Sequence, residues 1–151
     1  MQKHLNTVLA VYVAFVFLQS LFFKFAGFIG EPVDITVYIF QTVGQWMTDI
    51  GLGAIGSWFG QHGGLLIGLA ELVASVLILV PATRFWGALL GLGIISGAVF
   101  FHIFTPLGLF PYTDLSCTSE GCPAEKALFF MALGVMISCI VLIARLRPRD
   151  N

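Results

Sequence analysis

Three ionisable side chains stand inside otherwise apolar stretches of this chain: Lys24, Glu71 and His102. Glu71 lies near the middle of Gly64–Val80, which reads GLLIGLAELVASVLILV. A carboxylate at the centre of a membrane helix costs roughly 2.5–3.5 kcal/mol on insertion scales, so it needs a partner or a purpose. Lys24 can neutralise it. His102 brings an imidazole, the side chain that titrates nearest physiological pH, and can give or take a proton. Together the three suit hydrogen bonding and proton movement at a polar head group in apolar surroundings. The plainer alternative is that Lys24 and His102 extend to the membrane surface and that Glu71 only fixes helix register.

The elements that must position these groups follow from composition. Hydrophobic residues make up 58% of the 151 residues and charged residues 10%, against about 25% charged in soluble domains. Mean hydropathy is +0.98. Such a chain cannot cover a water-facing surface, and it reads as a single-domain integral membrane protein. The charge of -1 and the lack of a basic run exclude a nucleic-acid partner. A bilayer core of about 30 Å needs about 20 helical residues. Four segments supply them: 5–28, 62–80, 85–104 and 126–146, the second and third closed by Pro81 and Pro106. The first has Lys3 and His4 before it but no small-residue cleavage site, and reads as a retained anchor. The expected fold class is all-α, a polytopic four-transmembrane-helix bundle.

Basic residues orient the spans. Lys3, Arg84, Arg145, Arg147 and Arg149, five of seven Lys and Arg, fall on one side of a four-span chain. Glu31, Asp34, Asp49, Asp114, Glu120 and Glu125 fall on the other. Both termini are expected to be cytoplasmic. On that count Lys24 and His102 sit near the outer ends of their helices and Glu71 one to two turns deeper, while Glu31 and His62 lie at the outer mouth.

The first external loop holds a further amphipathic helix. From Asp34 to Ile50, Ile35, Ile39, Val43, Trp46, Met47 and Ile50 recur at helical spacing, with Asp34, Gln41, Gln45 and Asp49 opposite. Two readings stand: an interfacial helix anchored by Trp46, or a re-entrant lid with Gln41 and Gln45 facing a cavity. The Gly-rich Gly51–Gly64 is expected to be where the chain turns back. The third span carries Gly87-xxx-Gly91 and Gly93-xxx-Gly97. Small residues let membrane helices approach closely, within the bundle or in a homo-oligomer. The last external loop contains Cys117 and Cys122. A structural disulfide is the first reading, given an oxidising compartment; the spacing is not C-x-x-C, and no His completes a metal site. Cys139 is a small buried apolar residue. Phe22, Phe23, Phe25, Phe28, Phe100, Phe101 and Phe104 read as core and lipid contact, and also suit a flat apolar head group.

Over roughly residues 10–110 the sequence resembles the DoxX-like family of small four-helix membrane proteins. The matching pieces are Phe23-Lys24-Phe25-x-Gly27 with Glu31, then Ile39-Phe40-Gln41-Thr42-Val43-Gly44, then Glu71-Leu72-Val73-Ala74-Ser75. Gly87-Ala88, Gly91-x-Gly93, Ser96-Gly97-Ala98, His102 and Leu107-Gly108 follow in order. Members often carry a Glu-Pro-x-Gly-Arg-like run before the second helix; here Gln45–Gly64 stands there without an Arg. The resemblance implies a bacterial inner-membrane protein linked to quinone redox chemistry.

Three functions compete on this reading. One is a quinone- or quinol-linked oxidoreductase subunit, with Glu71, Lys24 and His102 as catalytic groups and Glu31, Gln41, Gln45, Trp46 and His62 as ligand contacts. Its cofactor would be a quinone. The chain has no haem, nucleotide or iron–sulfur motif, so electrons would pass to or from a redox partner protein or the substrate. The second is a non-enzymatic module that binds or transports a small molecule or lipid. The third is a structural partner subunit.

Overall fold

The structure is a computed structural model; residues 2–31, 33–111 and 124–147 are described. Among them the chain is helical: α1 Gln2–Ile29, α2 Asp34–Met47, α3 Gly53–Leu79, α4 Arg84–Phe104 and α5 Ala127–Leu146. A π-type turn, Thr48–Leu52, joins α2 to α3. Four helical segments are long and apolar enough to cross a membrane: 4–27, the α2–α3 unit 34–79, 84–104 and 127–146. Lipid offers no hydrogen bonds to a backbone, so apolar segments of this length satisfy their own N–H and C=O groups as helices. Cys117 and Cys122 lie outside the described residues.

α1 packs on α3, α3 on α4, α4 on α5, and α5 back on α1, so the four long helices form a closed ring. The half of the bundle at the Arg84 end is solid. Val13, Phe17, Ile78, Ala88, Val135, Cys139 and Leu142 fill it and are buried. Large apolar side chains such as Phe22, Trp86, Phe130 and Ile137 point outward, as expected of helices that face lipid rather than water.

The α3–α4 turn shows how the ends are closed. Pro81 stops α3, leaving its last carbonyls without intrahelical donors. Thr83 Oγ1 donates to Leu77 O at 2.8 Å. Arg84 Nε donates to Ile78 O at 2.9 Å and its Nη2 to Leu79 O at 3.3 Å. Arg84 is thus a buried cap as well as a charge in a short turn.

Two expectations need correction. The Gly-rich stretch is not a loop: Gly53–Gly64 is nearly the first half of α3, and the chain reverses at Gly51, whose φ of 98° suits glycine. The glycines are there for packing. A Cβ on Gly44 would lie 2.7 Å from both the Gly56 carbonyl oxygen and the Gly60 Cα, so α2 and α3 touch backbone to backbone. α2 therefore runs antiparallel beside α3, with Phe40 against Gly63 and Gly64. The glycines of α4 also divide. Gly87 packs against the Ile78 backbone and Gly91 against Phe17 and Cys139, whereas a Cβ on Gly93 or Gly97 would meet nothing within 4 Å.

Candidate functional site

At the α2 end the ring is hollow. A cavity of about 580 Å³ lies between α1, α3, α4 and α5. The apolar face of α2, Ile35, Ile39 and Val43, closes over it. Gly93 and Gly97 form part of its α4 wall, which explains why their Cβ positions are open.

Lys24 and Glu71 meet at this cavity. Lys24 Nζ donates to Glu71 Oε2 at 2.8 Å and to Oε1 at 3.0 Å. Its third proton goes to Ser20 Oγ at 3.0 Å. The Ser20 hydroxyl lies 2.6 Å from Glu71 Oε2 and 2.7 Å from Phe17 O, either of which can accept its one proton. Side-chain exposure is 14% for Lys24 and 8% for Glu71, so each charge depends mainly on the other for stabilisation. The glutamate backbone is held as well, since Ser75 Oγ donates to Glu71 O at 2.8 Å.

His102 reaches the same cavity from α4. Its Nδ1 lies 2.8 Å from Gly108 O. A carbonyl oxygen can only accept, so Nδ1 carries the proton and Nε2 is the acceptor of the neutral ring. The ring also meets Phe129 edge-on at 5.9 Å. Gly108 presents its carbonyl from a left-handed conformation, φ 73°, in the turn that follows α4. That turn is built locally: Gly108 N–H donates to Thr105 O at 3.3 Å and Thr105 Oγ1 to Phe101 O at 2.6 Å. No sealed side-chain nitrogen or oxygen among the described residues lacks a hydrogen-bond partner. Nε2 has none, so it is not sealed, and His102 borders the cavity.

The remaining sequence candidates are elsewhere. Gln41, Gln45, Trp46 and His62 line a second, open groove of about 1150 Å³ along α2 and α3; Lys24 borders both spaces. Gln45 Nε2 donates to Asp49 Oδ1 at 2.8 Å. His62 Nδ1 lies 3.2 Å from Trp58 O and the two rings stack at 5.3 Å. Trp46 meets Phe100 and Phe101 edge-on, each at 6.3 Å, and so ties α2 to α4. Glu31 is exposed and borders neither space. α2 thus covers the bundle as a lid would, but with its isoleucines rather than its glutamines toward the cavity.

Ser20 and Gly108 had no site role in the sequence reading. Ser20 stands four residues before Lys24, a spacing that puts both on one helix face, and that signal was available. Comparison with family models, with curated proteins and with solved structures finds no match.

Proposed function

We propose that this membrane protein binds a small, largely apolar molecule with a polar head group of the quinone/quinol class, as a subunit of a membrane redox system. The observation that carries this reading is the cavity: about 580 Å³, mostly apolar, bordered by ionisable residues from four helices. Small-molecule sites have this size and this mix of apolar lining with a few placed polar groups. Rings such as Phe23, Phe40, Phe59 and Phe101 border it and suit a flat head group. The resemblance to DoxX-like proteins points the same way and brings with it an inner-membrane location, while the placement of the basic residues supports cytoplasmic termini.

Within the site the chain's own groups divide the work. Lys24, Glu71 and Ser20 form a closed polar corner that orients a ligand by its fixed dipole and the remaining lone pairs of Glu71. His102 Nε2 is the group free to accept a proton from it. A quinone, when bound, supplies the electron chemistry, and a partner protein or substrate supplies or removes the electrons.

The saturation of Lys24 favours a second reading. All three of its protons are taken by Glu71 and Ser20, which is what a purely structural pair would show. Extraction of the protein in mild detergent and mass spectrometry of what co-purifies separates the two. Near one equivalent of a redox-active quinone is expected. A lipid or other metabolite would point to a binding or transport module, and an empty protein to the structural role.

A further inference from the structure

The polar groups around the cavity are matched to one kind of hydrogen-bonding partner. Its side-chain donors, Gln19 aside, are committed. Lys24 gives its three protons to Glu71 and Ser20. Ser20 gives its one proton to Glu71 or to Phe17 O, and Thr36 Oγ1 donates to Phe23 O at 3.5 Å. Past their first turns, backbone N–H groups of the lining helices are used within those helices. Its acceptors are in surplus. His102 Nε2 is open, Glu71 retains lone pairs beyond its two partners, and Asp34 and Glu125 add carboxylates at the wall. Gln19 alone among these side chains offers free donor and acceptor capacity together, and so does not discriminate.

We propose that the head group this cavity selects is a neutral hydrogen-bond donor, a phenolic or hydroquinone-type hydroxyl. It gives its proton to His102 Nε2 while its ring lies along the bare backbone of Gly93 and Gly97. This rests on the reading of the cavity as a binding site and specifies what it takes. His102 is 7% exposed, and its ring is held by Gly108 O and Phe129, so its acceptor points to one place without reorganisation. The two glycines leave the space beside it, since any side chain at either position would project into the cavity. At His102 Nε2 a carbonyl head group would set its own acceptor against another. Sites built for a hydroxyl reject analogues that lack one, because their polar groups are left unpaired. The two helix-initiating carboxylates do not require a cation: Glu125 Oε1 accepts from Ala127 N–H at 2.8 Å, and Asp34 opens α2 where the helix dipole favours a negative charge.

The test uses the full chain in lipid nanodiscs and calorimetric titration, with empty nanodiscs subtracted for partitioning. The probes are 4-decylphenol, its methyl ether 4-decylanisole, and 4-decylbenzylamine. The phenol is expected to bind about tenfold more tightly than the ether, the range of one buried hydrogen bond. In His102→Phe the two should differ by less than about twofold, and Gly97→Leu should abolish saturable binding of both. Equal affinity for phenol and ether in the unmodified protein would overturn donor selection while leaving the cavity a binding site. Tighter binding of the amine would overturn the neutral head group. Persistence of the phenol preference in His102→Phe would remove His102 from the proposal, and full binding by Gly97→Leu would remove the glycine wall. If no probe binds saturably, the binding reading fails and this one with it.

Discussion

Lys24 and Glu71 join α1 to α3 through both carboxylate oxygens, at 3.0 and 2.8 Å, with Ser20 closing the ring of contacts. Removing one charge strands the other in a setting of low dielectric. Breaking such a pair costs roughly 3–5 kcal/mol in soluble proteins, and water reaching the cavity lowers that figure. Glu71→Gln should therefore destabilise the bundle, and adding Lys24→Met should recover part of the loss. Reversible unfolding in detergent, run as a double-mutant cycle, measures the coupling. If the two losses simply add, the pair does not hold the helices together.

The α2–α3 hairpin makes a sharper demand on two glycines only sixteen residues apart in sequence. A Cβ on Gly44 would come within 2.8 Å of Gly60 N and closer still to the Gly56 oxygen, and backbone cannot step aside cheaply. Gly44→Ala should cost about 1–3 kcal/mol, the usual range for overpacking. A Cβ on Gly60 has its nearest neighbour at 3.6 Å, an ordinary contact. Gly60→Ala should be neutral or gain up to about 1 kcal/mol from helix propensity. The same unfolding measurement checks both, and equal effects at the two sites would refute the close approach.

These contrasts show where the sequence was readable. Lys24, Glu71 and His102 stood out because a charge or imidazole in an apolar run has few inexpensive explanations, and all three reach one cavity. The four spans were legible from length and hydropathy for the same reason. Gly53–Gly64 reads as a turn because glycine is a poor helix former in isolation; only the partner α2 supplies the packing that makes the helix worthwhile. Gly87, Gly91, Gly93 and Gly97 carry equivalent spacings, yet two face neighbours and two face a void. Spacing gives the face of a helix and says nothing about what stands opposite. Gln41 and Gln45 illustrate the same limit, since they do face a space, the open groove along α2 and α3, while the isoleucines of α2 face the cavity that holds Lys24, Glu71 and His102.

Orientation is a separate prediction from charge placement. Arg84 lies in the short turn between two spans, and Arg145 and Arg147 close α5 on the same side. Under the positive-inside rule that side is cytoplasmic. Reporter fusions after Arg147 and within 81–84 should report a cytoplasmic location, and a tag near Ser119 an external one. Opposite locations for the first two would mean an odd number of spans.

Gly108 offers the most specific test of how His102 is held. Its φ of 73° lies in the left-handed region, which costs a residue with a Cβ roughly 1–2 kcal/mol, Asn and Asp being the usual exceptions. A β-branched residue is the worst fit there. Gly108→Val should rotate the turn and withdraw the carbonyl that accepts from His102 Nδ1. Gly108→Asn should preserve both. Nitrogen-15 spectra of histidine-labelled protein report which ring nitrogen carries the proton, and comparison with His102→Phe identifies the signal against His4 and His62. The unmodified protein and Gly108→Asn should show the form protonated at Nδ1, with Nε2 as the bare acceptor. Gly108→Val should lose that form or show both in exchange. A thermal melt alongside separates loss of the turn from loss of the fold, because the solid half of the bundle lies at the Arg84 end of α4 and Gly108 follows the other end. An unchanged histidine spectrum in Gly108→Val would mean that something other than this carbonyl sets the tautomer.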